Sequence, residues 1–145
     1  MAGLKVFLSY AHEDEKLRAR LNSHLATLKQ TLGVEVWDDR EIRAGQEWYE
    51  AIVNTLNAAH VIVLLVSADF LSSEFCQSVE LKRALERHDA GEALVIPVML
   101  RPCDTTGTAL AKLQMLPKDA KPITTWPNRD GAFLDVVERL RTALM

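Results

Sequence analysis

The sequence predicts one α/β domain in which a parallel sheet is covered by helices on both faces. Apolar runs of strand length alternate along the chain with amphipathic segments of helical period. The runs Val61–Ser67 and Ala93–Leu100 are almost continuously apolar, which is typical of strands buried on both faces. Because right-handed crossovers lay each helix against the sheet, five strands and about five helices predict the strand order 2-1-3-4-5.

Composition narrows the class of protein. A chain of 145 residues, 48% apolar and 26% charged, is an ordinary globular domain and is neither disordered nor fibrous. We expect a single domain over residues 1–145, which a longer protein could contain. A net charge of −3 gives no basic field for nucleic acid. Cys76 and Cys103 form no disulfide framework or metal cluster, and no apolar run reaches the ~20 residues of a membrane span. We therefore expect a reduced, cytoplasmic protein.

The first half of the chain predicts two strands and two helices. Lys5–Tyr10 is the first strand. A helix from Glu13 to Leu32 follows and ends at Gly33, and its buried stripe consists of the leucines Leu17, Leu21, Leu25, Leu28 and Leu32. Apolar and polar side chains alternate within Val34–Trp37, which suits a strand at the sheet edge. The loop at residues 38–47 is long for a strand-to-helix connection, so we expect it to be functional.

The second half begins with a helix containing Trp48, Ile52 and Leu56, followed by the central strand at Val61. Ser72 or Ser73 then caps a helix that carries Glu80. Within this helix, residues fall at helical spacing at Cys76, Val79, Arg83, Ala84 and His88.

The C-terminal third supplies the last two strands. Pro97 is unusual within the fourth strand, and we place it near the strand end or at a bulge. A short helix is expected within residues 104–117 and a fifth strand at Lys121–Thr125. A final helix, Asp130–Leu144, buries the apolar residues Phe133, Val136, Val137, Leu140 and Leu144.

Glu80 is the first candidate for chemistry. It lies in the helix after the central strand, beside the apolar face, and open parallel sheets bind ligands outside the carboxyl ends of their strands. A solvated surface carboxylate is the alternative interpretation.

Several site classes are excluded or weakened by their missing motifs. The turn after the first strand, SYAHEDE, contains no glycine, which argues against a dinucleotide-binding turn and a P-loop. The four histidines have no metal-ligand spacing, and no nucleophile elbow is present. A phospho-receiver domain would use Asp14 and Asp69, but the last strand ends in Thr-Thr-Trp without its lysine. This receiver reading remains a weaker alternative.

Four segments together carry a family resemblance. These are VFLSY, VWDDREIRAGQEW, VIVLLVS followed by DFLSSEFCQSVE, and the IPV of the fourth strand. In this order and spacing they resemble a bacterial TIR (Toll/interleukin-1 receptor homology) domain across essentially the whole chain. The resemblance implies a flavodoxin-like fold. It also implies either cleavage of NAD⁺ at the nicotinamide–ribose bond or a non-enzymatic scaffold that recruits other TIR domains.

The resemblance also implies roles for individual residues. Glu80 matches the catalytic glutamate of enzymatic members, and the aromatic residue and cysteine before it match Phe75 and Cys76. The loop that closes over the nucleotide and docks onto neighbouring subunits matches residues 38–47. The positions that the resemblance assigns to binding NAD⁺ are Ser9, Tyr10, Trp37, Asp38, Gly45, Trp48, Phe75 and Cys76. Ala11 departs from relatives that have a basic residue there, and many relatives have tryptophan at the position of Phe75.

The expected reaction treats NAD⁺ as substrate, with no cofactor and no metal. The partners implied are NAD⁺ and other TIR domains, which assemble to complete the site, in a role such as antiphage signalling. The product, linear or cyclic ADP-ribose, stays open.

Overall fold

The computed structural model describes residues 4–38, 54, 56–73 and 79–145. The strands are β1 (Lys5–Ser9), β2 (Glu35–Asp38), β3 (Val61–Val66) and β4 (Leu94–Met99). The α-helices are α1 (Glu15–His24), α2 (Ala26–Leu32), α3 (Ala68–Leu71), α4 (Val79–Asp89) and α5 (Arg129–Leu144). Residues 54 and 56–58 are also helical. Short 3₁₀ turns lie at His12–Asp14, Ala109–Lys112, Lys118–Ala120 and Ile123–Thr125.

The strands form a parallel sheet in the order β2-β1-β3-β4. Phe7 of β1 lies opposite Trp37 of β2 on one side and Ile62 of β3 on the other. All six residues of β3 are buried. The predicted order of the first four strands and the central position of β3 are therefore confirmed.

Two apolar cores lie on opposite faces of the sheet. One contains Val6, Leu8 and Tyr10 of the first strand region and packs against α1, α2 and α5. The other contains Phe7 and packs against α3 and α4. Since successive strand residues point to opposite faces, Ser9 shares the face of Phe7. The expected helices on both faces are confirmed.

The helix predicted for residues 13–32 is divided. Leu25 separates α1 from α2. Of the predicted stripe, Leu21, Leu25 and Leu28 are buried, and Leu17 and Leu32 are partly buried against the same core. Gly33 ends α2 in the left-handed conformation at φ 66°. That conformation suits glycine because it has no Cβ to clash with the backbone.

The predicted fifth strand at Lys121–Thr125 is wrong. The structure has a 3₁₀ turn at Ile123–Thr125, where the Thr124 amide donates to the Leu100 carbonyl at 3.1 Å. Leu116 forms an isolated parallel bridge with Val98 instead. Ile123 is fully buried as a single apolar side chain, and one such contact does not require a strand.

The expectation for Pro97 needs correction, because it lies inside β4 without a described bulge. Its ring nitrogen faces the outer edge of the sheet, so no bond to β3 is lost. The amides on either side are covered: Val95 donates to His88 Nδ1 at 3.0 Å, and Met99 donates to the Leu116 carbonyl at 2.8 Å. These contacts blunt an edge that would otherwise pair with another strand.

Of the α4 positions that the sequence places at helical spacing, Ala84 is buried and Arg83 is not. Leu81, Ala84 and Arg87 are buried, whereas the Arg83 side chain is 49% exposed. Arg87 is accommodated because its guanidinium donates to backbone carbonyls.

Among the described residues, no helix is long and apolar enough to cross a membrane.

Candidate functional site

The carboxyl end of β1 carries two predicted site residues on opposite faces. Ser9 is buried on the α4 side, and Tyr10 is buried on the α1 side. The Tyr10 hydroxyl donates to Glu15 Oε2 at 2.7 Å. The pKa of Tyr10 is raised well above its ordinary value, mainly because the side chain is buried and secondly because of this hydrogen bond. Tyr10 is therefore a neutral hydrogen-bond donor.

Asp38 is the last residue of β2. It lies in one polar cluster with Tyr10, Glu15 and Arg18. It is 5% exposed and accepts from Arg18 Nη1 at 3.2 Å. Arg18 also donates to Glu15, and its guanidinium lies 5.5 Å from the centre of the Tyr10 ring. Burial lowers the pKa of Arg18, but the hydrogen bond to Glu15 and the charge of Asp38 outweigh it, so the pKa is raised. The cluster fixes the residue from which the long loop departs.

Trp37 lies on the other face of β2. Its side chain is half-exposed and borders a cavity of about 200 Å³ that Lys5, Phe7 and Asn54 also line. The structure therefore places Trp37 and Ser9 on one face of the sheet, and Tyr10 and Asp38 on the other.

A second polar cluster joins the ends of β1, β3 and β4. Arg101 Nε donates to Asp14 Oδ1 at 2.7 Å, and its Nη2 donates to Asp69 Oδ2 at 2.5 Å. Ser67 Oγ donates to the other oxygen of Asp14 at 2.5 Å. These hydrogen bonds to Asp14 and then Asp69 raise the pKa of Arg101. We name Asp14, Ser67, Asp69 and Arg101 the three-strand junction.

The three-strand junction bears on the receiver reading. Asp14 and Asp69 do come together, as that reading requires. However, the Arg101 guanidinium already bonds both carboxylates, which a magnesium ion would need as ligands. Within the described ranges, no three His, Cys, Asp or Glu side chains are grouped to hold a metal ion.

Sequence reasoning missed Arg18 and Arg101. A usable signal existed for Arg101, because Asp14, Asp69 and Arg101 are among the first charged residues after three separate apolar strands. The carboxyl ends of parallel strands meet at one edge, so such residues approach one another. Arg18 gave no comparable signal, since a charged residue in an amphipathic helix is normally solvated.

Glu80 lies in α4. The helix packs through Leu81 and Ala84 on the core that also contains Phe7, the face to which Ser9 belongs. The remaining predicted site residues, Gly45, Trp48, Phe75 and Cys76, lie outside the described residues, as does the loop after Asp38.

Comparisons with known proteins agree with this architecture. The family model of the TIR domain matches residues 6–131. The uncharacterized protein y4lF of Sinorhizobium fredii is 48% identical over 138 residues, which is 95% of this chain. The chain spans 43% of the length of that relative, so it corresponds to less than half of it.

Solved structures share the fold. The TIR domain of the Toll-related receptor TRR-2 from Hydra magnipapillata superposes with a TM-score of 0.65 at 20% identity, covering 94% of this chain and 95% of that one. The TIR domains of the activated Roq1 resistosome match with a TM-score of 0.51 at 27% identity, over 66% of this chain and 57% of that one. The RPS4 and RRS1 TIR domain heterodimer gives a TM-score of 0.54 at 14% identity, over 97% of each chain. Because the family model matches most of this chain, the chain belongs to the TIR domain family.

Proposed function

We propose that this domain hydrolyses NAD⁺ at the nicotinamide–ribose bond and that Glu80 is its catalytic residue. The observation that carries the proposal is that Glu80 lies in α4, which packs through Leu81 and Ala84 on the sheet face that carries Phe7. Parallel sheets bind ligands outside the carboxyl ends of their strands. Membership of the TIR family, which includes NAD⁺ hydrolases, supports the same assignment.

The reaction calls for a carboxylate. Nicotinamide departs as a neutral molecule and takes the bonding electron pair, which leaves positive charge on an oxocarbenium-like ribose. An ionised carboxylate beside that carbon, or bonded to the ribose hydroxyls, stabilises the charge as it develops. Water then adds to the ribose carbon and loses a proton, giving ADP-ribose. Attack by a nitrogen of the adenine ring in place of water would give a cyclic product.

The other predicted residues divide by face. Ser9 and Trp37 lie on the α4 side of the sheet. We assign the buried Ser9 to the floor of the site, and the exposed Trp37 to contact with the nucleotide together with Gly45, Trp48, Phe75 and Cys76. Tyr10 and Asp38 are held on the α1 side by Glu15 and Arg18. We assign them the role of fixing the start of the loop at residues 38–47, because their polar atoms already have partners.

Assembly forms the second part of the proposal. The structural neighbours include TIR domains of a resistosome and a TIR heterodimer, which supports TIR–TIR contacts for this chain too. We propose that activity rises with self-assembly, because the loop of a neighbouring copy completes the site. The same neighbours favour the alternative candidate, a TIR scaffold that assembles without catalysis. Involvement in antiphage signalling within the cytoplasm remains part of the proposal.

The test is nicotinamide release from NAD⁺ at high protein concentration, measured for the unmodified chain and for Glu80→Ala. Glu86→Ala is the matched control, since Glu86 lies on the same helix and its side chain is 54% exposed. We expect release to disappear only in Glu80→Ala. Release that persists there refutes the catalytic assignment. Absence of release from the unmodified chain, with assembly confirmed by light scattering, supports the scaffold.

A further inference from the structure

A cavity of about 550 Å³ lies beside the outer edge of β4. The segment at residues 112–116 covers the carboxyl half of this strand. There the Leu116 amide donates to the Pro97 carbonyl at 2.9 Å, and the Leu116 carbonyl accepts from the Met99 amide at 2.8 Å. Among the described residues, no strand pairs with the outer edge of β4 at residues 94–96. The space that the predicted fifth strand would occupy is therefore partly open.

The inner wall of this cavity is apolar. It is formed by the start of β4 and by the segment that crosses the edge of that strand, with the residues Leu94, Val95, Ile96, Leu113 and Leu116. Val95, Ile96 and Leu116 are buried in the two cores of the domain, so packing fixes this wall in place. Ligand cavities of about 300–1,000 Å³ usually combine such an apolar lining with a few polar groups.

The polar lining of the cavity is basic, although the chain carries a net charge of −3. Lys112, Arg139 and His88 are the ionisable residues of the described lining, and none of that lining is acidic. Arg139 donates from Nε to Asp135 at 2.9 Å, which leaves its Nη groups without a partner among the described residues. His88 accepts from the Val95 amide through Nδ1, so Nε2 of the neutral ring carries the hydrogen. These groups are donors and cations, which match an anion.

Lys112 supplies the charge that is least compensated. Its side chain is exposed and has no ion-pair partner in the part of the chain that the structure describes. The charge of Arg139, by contrast, is partly balanced by Asp135. An anionic group at the cavity therefore gains most from Lys112, whereas Arg139 contributes the hydrogen-bond donors of its free Nη groups.

We propose that this cavity binds a small molecule that joins an apolar body to one anionic group, such as a carboxylate or sulfonate. The apolar body contacts Ile96, Leu113 and Leu116, and the anion lies with Lys112 and Arg139. Burial of the apolar body supplies the main binding free energy, and the cations orient the molecule. The site is separate from the proposed nucleotide site, because residues 94–96 lie at the amino end of β4 and NAD⁺ is proposed to bind beyond the carboxyl ends of the strands.

Two fluorescent probes test the preference for an anion. Anilinonaphthalene sulfonate is an apolar anion, and phenylnaphthylamine has the same apolar body without the sulfonate. Lys112→Gln should raise the Kd of the anionic probe about three- to fivefold and leave the Kd of the neutral probe unchanged, because it removes one charge interaction. Lys118→Gln is the matched control, since Lys118 is an exposed lysine outside the cavity lining, and it should change neither Kd.

Obstruction of the cavity tests the location of the probes. Ala143 and Thr142 line the cavity from the end of α5 and are exposed, so a larger side chain there fills the opening without entering a core. Ala143→Trp and Thr142→Trp should each raise the Kd of both probes at least about tenfold, because the apolar body loses its contact with the wall. Leu134→Trp is the control, since Leu134 lies on the same helix, is 52% exposed and does not line the cavity.

Each result decides one part of the proposal. Absence of saturable binding of the anionic probe to the unmodified chain refutes the site. An unchanged Kd in both tryptophan variants, with their urea midpoints unchanged, places the probe elsewhere and also refutes it. Equal effects of Lys112→Gln on the two probes overturn the preference for an anion. Displacement of the bound probe by NAD⁺ would contradict a separate site. None of these measurements requires nicotinamide release, so they are independent of the proposed hydrolase.

Discussion

Replacing Arg87 with methionine should destabilise the domain strongly, because Arg87 is buried even though the sequence suggests a surface residue. Its Nη1 donates to the Leu56 and Ala59 carbonyls and its Nη2 to the Glu92 carbonyl. Hydrogen bonds from a charged donor contribute about 1.5–3 kcal/mol each. Methionine removes all three bonds but also relieves several kcal/mol of guanidinium desolvation. The net loss should be about 2–4 kcal/mol of unfolding free energy.

Urea denaturation followed by tryptophan fluorescence measures this loss. Arg83→Met is the matched control, because Arg83 lies one turn earlier on α4 with a 49% exposed side chain. The control should change the unfolding free energy by at most about 0.5 kcal/mol. Both variants should keep the denaturant slope of the unmodified chain. If Arg87→Met falls within that control range, the guanidinium does not hold the end of α4.

Four further variants test other parts of the fold. The raised pKa of Tyr10 means that the folded state holds this proton more tightly, so stability is complete below about pH 10 and falls as pH rises above it. Tyr10→Phe should flatten that alkaline loss, measured by urea denaturation at several pH values, and an unchanged slope would contradict it. Pro97→Ala should cost only about 0.4–1 kcal/mol, since it loosens the unfolded chain without breaking a bond to β3. Val98→Pro should cost far more because it removes a donor facing β3, so equal melting temperatures would refute the edge assignment. Leu64→Ala should cost about 2–5 kcal/mol by leaving a cavity in a fully buried strand, and a smaller loss would contradict its central position.

The strand order followed from the sequence because buried parallel strands and amphipathic helices have distinct periods. The failures came from residues whose partners lie far along the chain. Pro97 signalled a strand end, but it is tolerated because its nitrogen faces the sheet edge. Arg87 reads as a surface residue, and only the fold brings carbonyls to it. Residues 121–125 were predicted to form a strand. They form none because the single buried side chain of Ile123 provides their contact with the core.

The sequence proposes a location for the candidate site, but it did not predict the polar network that the structure shows around Tyr10, Asp38 and Arg101. Residue pattern and family resemblance both indicated the carboxyl edge of the sheet and Glu80. They did not reveal that Tyr10 donates to Glu15 and Asp38 accepts from Arg18, or that Arg101 bridges two carboxylates. Such bonds depend on side-chain directions at loops, where neither periodicity nor propensity constrains the geometry.

The central claim is that Glu80 stabilises the transition state of NAD⁺ cleavage. The most direct measurement combines nicotinamide release with equilibrium binding of NAD⁺ in Glu80→Gln, which keeps the shape of the side chain and removes its charge. Losing one such electrostatic interaction should slow release about 10²–10³-fold, whereas the Kd for NAD⁺ should change little. Release at the unmodified rate by a folded Glu80→Gln, with NAD⁺ still bound, would contradict the account.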